Sequence, residues 1–103
     1  MKNYRILIAQ RVFDEDFKNI SDFVSNIHTK KTAQAYVKRI LEEIEMLSYL
    51  AEFIPTTSYV NILELHPQAK RIITKNGKWT VIFYVEDEFV KVIKITPSKM
   101  IKE

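Results

Sequence analysis

Cysteine is missing altogether from the 103 residues, which excludes disulfide frameworks, thiol nucleophiles and cysteine zinc sites. A reducing compartment, the cytoplasm, is the expected location. Glycine occurs once, so no glycine-rich phosphate loop can be built. That single glycine and three prolines leave little punctuation, and most residues are expected inside regular elements. The apolar run at residues 6–9 is too short for a signal peptide, and nothing approaches the ~20 apolar residues of a membrane span. A soluble, non-exported protein is expected. His28 and His66 each lack a carboxylate or second histidine at ligand spacing, so both read as surface or loop-packing imidazoles and no metal or cofactor is expected.

What is present is apolar material, 47% of the chain, enough at this length for one core and one domain over 1–103. The net charge of +3 is unevenly divided. Residues 1–67 carry eight Lys/Arg against nine Asp/Glu, and residues 68–103 carry eight against four, so the C-terminal third is the basic end and suits an anionic partner.

Residues 4–9 read as a strand. From Arg11 onward Phe13, Phe17, Ile20 and Val24 recur at helical steps, which predicts one apolar face with Asp14, Glu15, Asp16, Lys18 and Asp22 toward water. After a polar break at 26–31, Ala33, Val37, Ile40, Ile44, Leu47 and Ala51 predict a longer second helix, capped by Thr29 or Thr32 and widened by Tyr36, Leu41 and Leu50. Its outer side carries Lys38, Arg39, Glu42, Glu43 and Glu45. So short a break predicts a helical hairpin. Pro55 ends the helical pattern, and residues 53–67 read as an irregular connection with a short ordered turn at 60–65.

Three strand-like runs follow, at 69–75, 79–85 and 89–96. The first two flank Asn76-Gly77-Lys78, and its Asn-Gly is a hairpin signal, since both central residues of that turn need positive φ. Glu86-Asp87-Glu88 predicts the second hairpin. Trp79, Val81, Phe83 and Val85 share one face of the middle run, and Thr80, Ile82 and Tyr84 the other, so this strand is expected at the centre of the sheet. The predicted fold class is α+β, in the order β-α-α-β-β-β, with an antiparallel C-terminal sheet packed against a two-helix hairpin.

The glutamate cluster of the second helix lies on its solvent face, and Ser58 and Ser98 have no activating neighbour. The remaining chemistry is basic: Lys70, Arg71, Lys75, Lys78, Lys91, Lys94 and Lys99, with Trp79 and Tyr84 among them. Cations interleaved with aromatics can hold phosphates and stack bases. Lysines also protect sheet edges, and strand aromatics also fill cores.

Several strings together resemble the RelE/ParE superfamily of type II toxins, the plasmid stabilisation family. They are the acidic-hydrophobic first helix (Phe17, Ile20, Phe23, Val24), the alanine-led second one (Ala33, Ala35, Tyr36, Val37, Ile40, Ile44, Leu47), and the sheet. The sheet runs Lys70-Arg71-Ile72-Ile73, then the Asn-Gly turn, Trp79 to Val85, and Val90 to Ile95. The resemblance spans essentially the whole chain. It implies a growth-inhibiting cytoplasmic bacterial toxin, bound and neutralised by a cognate antitoxin in a hetero-oligomer, with no cofactor. The ParE-like branch poisons DNA gyrase. The RelE-like branch is a metal-independent endoribonuclease that cuts messenger RNA on the ribosome, using positive charge to stabilise the phosphate.

Carried onto this chain, the resemblance implies a target-binding set of Arg71, Lys75, Lys78, Trp79, Tyr84 and Lys99. If RelE-like, it implies Arg71 and Lys99 as catalytic, with Lys78 beside them. The arginine that the nuclease branch has after the aromatic is Thr80 here. Where that branch has arginine, histidine or tyrosine after the last strand, this chain has Pro97, Ser98, Lys99 and Met100. These departures favour the gyrase branch. A non-toxic module that docks an acidic peptide on a basic sheet is the third reading.

Overall fold

Helix-forming periodicity in the first half and β-branched alternation in the second give two layers in the computed structural model, which describes residues 3–101. The first and last two residues of the domain read over 1–103 thus lie outside the described residues. The chain runs β1 (Arg5–Ile8), a π-wound segment (Val12–Phe17), α1 (Lys18–Ile27), α2 (Lys30–Glu45) and α3 (Leu47–Leu50). It continues through a 3-10 turn (Ala51–Phe53), α4 (Val60–Leu63), β2 (Lys70–Ile73), β3 (Trp79–Glu86), β4 (Phe89–Pro97) and a last 3-10 turn (Ser98–Met100). No helix among the described residues is long and apolar enough to cross a membrane.

The sheet order is β1-β4-β3-β2, with β2, β3 and β4 antiparallel as the sequence predicts. The N-terminal strand joins at the far edge, parallel to β4, so the complete sheet is mixed. β3 is central. Phe17, Ile20, Val24, Ala33, Ile40, Ile44 and Leu47 from the helices form the main core with Val81, Phe83, Val90, Val92 and Ile95. A second, smaller core covers the opposite face, where Ile62 of α4 packs with Ala69 and Ile82. Both faces of β3 are therefore covered, which is why both were apolar.

The Thr29 hydroxyl caps α2 by accepting from the Thr32 N–H at 3.1 Å. The connection at 53–67 contains α4 where a short turn was expected. The start of the first helix departs from expectation. There the chain winds with i→i+5 hydrogen bonds, and this wider turn rotates Val12 and Asp16 toward the sheet and leaves Phe13 43% exposed. Asp16, placed toward water by a regular helical period, is only 8% exposed.

The Asn-Gly hairpin also differs in detail. Gly77 alone takes positive φ, at 75°. Gly77 N–H donates to the Thr74 carbonyl at 2.8 Å and Thr74 N–H to the Trp79 carbonyl at 2.9 Å, so the loop has four residues, 75–78, where the strand-like runs left three, 76–78. At the second hairpin Glu86 pairs with Phe89 across a two-residue loop, with Asp87 at φ 55°.

β4 carries a bulge. Ile82 pairs with Lys94 and Phe83 with Val92, leaving Ile93 as the extra residue. Val92 and Ile95, three apart, would face opposite ways in a regular strand. The bulge turns both into the main core and sends Ile93 to the second one.

Candidate functional site

The end of β4, the start of β3 and α1 enclose a groove of about 780 Å³. Its position follows from the hairpin register. Trp79 pairs with Pro97, the Ser98 N–H donates to the Lys78 carbonyl at 2.8 Å, and Ser98 Oγ and Thr80 Oγ1 lie 2.9 Å apart. These bonds bring Lys78 and Lys99, distant in sequence, to the same rim, with Lys94 joining them. Phe23, Trp79, Ile95 and Pro97 supply an apolar lining. None of the three lysines has an ion-pair partner among the described residues.

Trp79 is a wall of this groove rather than a free stacking surface. It is 9% exposed, its ring meets Phe23 edge-on with centroids 6.4 Å apart, and its indole N–H donates to the Tyr36 hydroxyl at 2.7 Å. Tyr36 also accepts from Asn76 Nδ2 at 2.6 Å, which ties the loop after β2 to α2.

The other sequence-derived residues are placed elsewhere. Lys75 lies on the helix side of the loop, where its backbone N–H donates to Glu43 Oε1 at 2.8 Å. Glu43 thereby leaves the purely solvated role read for it. Arg71 sits on the sheet face opposite the main core, its guanidinium 4.4 Å from the Tyr59 ring centroid, beside a separate cavity of about 420 Å³. Tyr84, on that same face, stacks on His66 at 3.8 Å with the rings 4° from parallel. His66 Nδ1 accepts from the Gln68 N–H at 3.1 Å, so this imidazole is indeed a packing group. Lys91 lies 5.8 Å from the Tyr84 ring and 2.7 Å from Glu86 Oε1. Lys70 turns to the helix side and donates to the Ala51 carbonyl at 3.0 Å, and its burial lowers its pKa below the ordinary lysine value.

The groove therefore gathers Lys78, Trp79 and Lys99 of the proposed set, while Arg71 and Tyr84 belong to the other face and Lys75 to a third place. Arg71 and Lys99 line different cavities. Phe23, Asn19 and Asp16 complete the groove and were not singled out as site residues. The signal for Phe23 was a large aromatic beside Val24 of the buried stripe, and the structure leaves it 51% exposed with its ring against Trp79. Among the described residues no three histidine or carboxylate side chains gather as a metal site.

A helical hairpin on a basic four-stranded sheet is the RelE/ParE-like fold that the resemblance implies. The chain superposes with a TM-score of 0.77 on a chain of the structure described as "Chromosomal ParDE TA system from P. aeruginosa". The match covers 91% of this chain and 95% of that one at 16% sequence identity. No protein-family model and no curated protein matches the sequence.

Proposed function

We propose that the chain is the toxin of a type II toxin–antitoxin pair, acting in the cytoplasm on DNA gyrase and neutralised by an antitoxin in a hetero-oligomer. The observation that carries the reading is the likeness of fold along nearly the whole chain to a member of a ParDE assembly. The groove supports it: apolar walls with three lysines on the rim, none ion-paired among the described residues, suit an amphipathic, acidic segment of an antitoxin.

Two features favour gyrase over messenger RNA. Thr80, at the position where the nuclease branch has an arginine, is buried and bonded to Ser98. Arg71 and Lys99, the candidate catalytic cations, open onto different cavities, a poor arrangement for two groups that must act on one phosphate.

Induced expression in bacteria tests the class, and purified protein tests the target. Growth arrest, relieved by co-expression of the adjacent reading frame, is expected, and unimpeded growth rejects the toxin reading. With pure protein, gyrase should accumulate cleaved DNA. Normal supercoiling together with codon-end cuts in translated messages transfers the target to the ribosome.

A further inference from the structure

β2 is the edge strand of the sheet, and its free side is only partly covered. Because the Thr74 N–H points to β3, alternation along the strand directs the N–H and C=O groups of Arg71 and Ile73 outward. The Ala69 carbonyl, in the same phase, confirms the direction: it accepts from the Thr57 N–H at 2.9 Å. Among the described residues Thr57 is the one of the neighbouring stretch whose backbone bonds this edge. Beyond it the 420 Å³ cavity opens, lined by Ile54 and Tyr59 on one side and Arg71 and Ile73 on the other. Among the described residues no backbone partner meets Arg71 or Ile73 there.

Side chains add a direction to this preference. Ile73 is 49% exposed at the mouth of the edge. Arg71 has no carboxylate partner among the described residues, and its guanidinium lies over the Tyr59 ring, which leaves its N–H groups without a partner among those residues. Residues 70–75 carry three cations and no acid.

We propose that the β2 edge at Arg71–Ile73 is a strand-addition site for a short, extended, acidic segment of a partner protein. That segment pairs with the outward backbone groups, sets a carboxylate on Arg71 and covers Ile73 with an apolar side chain. A nucleic acid satisfies the edge less well, since phosphates accept hydrogen bonds but cannot donate to the outward carbonyls of Arg71 and Ile73. A second copy of this chain would set a second Arg71 beside the first, and residues 70–75 carry no acid to meet either. The site is separate from the groove beside Phe23 and does not rest on the toxin reading.

The test uses the full chain, a capped synthetic peptide of alternating β-branched residues with one central glutamate, its N-methylated twin, and inorganic phosphate. Amide exchange and backbone NMR shifts are followed residue by residue. The peptide should slow exchange at Arg71 and Ile73, its N-methylated twin should not, and Arg71→Gln should weaken binding about tenfold or more. The N-methylated twin probes the edge without altering the protein, so the result stands whatever Arg71→Gln does to folding. Three outcomes overturn the proposal: phosphate alone reproducing every shift with Ile73 unmoved, peptide protection confined to the Phe23–Trp79 groove, or a dimer formed through β2.

Discussion

Arg11 and Asp16, five residues apart on the π-wound turn, together complete the hydrogen bonding of β4 where β1 has ended. The Arg11 guanidinium donates to the Ile93 carbonyl at 2.9 Å, Asp16 Oδ2 accepts from the Ile95 N–H at 2.9 Å, and the two side chains meet at 3.1 Å. In a regular α-helix residues five apart diverge, whereas π winding brings them to one side. The unusual turn and the β4 bulge are thus two halves of one contact.

Asp16→Ala should therefore destabilise by about 2–3 kcal/mol, since the buried Ile95 N–H loses a charged acceptor. Asp16→Asn keeps an acceptor and should lose less. Urea unfolding of the three proteins gives the comparison, and equal midpoints would mean that the bulge holds without the carboxylate.

Tyr36→Phe removes an acceptor used by both Trp79 Nε1 and Asn76 Nδ2. A loss of about 1–3 kcal/mol is expected. Tryptophan emission should shift, and amides of the loop at 75–78 should exchange faster while those of Val81 and Phe83 hold.

Gly77→Ala meets nothing within 4 Å of the added Cβ, so its cost is conformational alone, set by the φ of 75°. About 1 kcal/mol is expected, with the strand register unchanged in the amide spectrum.

Glu86 and Lys91 couple their titrations. The hydrogen bond from Lys91, then its charge, holds the Glu86 carboxyl below the usual glutamate value, and the same hydrogen bond raises Lys91 above the usual lysine value. The carboxylate's contribution to stability is complete above the ordinary glutamate pKa and fades as pH falls through the lowered one. The lysine's contribution is complete below its ordinary pKa and fades as pH rises through the raised one. Side-chain NMR titration of Lys91→Ala should find Glu86 moved upward. Because the pair is exposed, the effect should shrink in high salt.

Lys78→Glu, Lys94→Glu and Lys99→Glu should each leave stability within about 0.5 kcal/mol, because none of these lysines pairs with a described group. Under the proposed toxin reading, each should slow association with an acidic antitoxin segment, most strongly at low salt. Unchanged association rates for all three would remove the groove from the interface.

The helices at Ile20, Val24, Ile40 and Ile44, a threonine cap at 29 or 32, the central place of β3 and the positions of both hairpins were determined by the sequence alone. Each depends on periodicity or turn chemistry acting between residues a few positions apart. Tertiary structure decided the rest. It set β1 beside β4, wound the turn before α1 so that Asp16 reached Ile95, and bulged β4 so that Val92 and Ile95 share a core. It also divided the basic residues, with Lys78 and Lys99 at one groove and Arg71 on the opposite face beside Tyr59. Charge composition carries no record of which face a strand residue takes. That is fixed only when register, bulge and long-range hydrogen bonds are satisfied together.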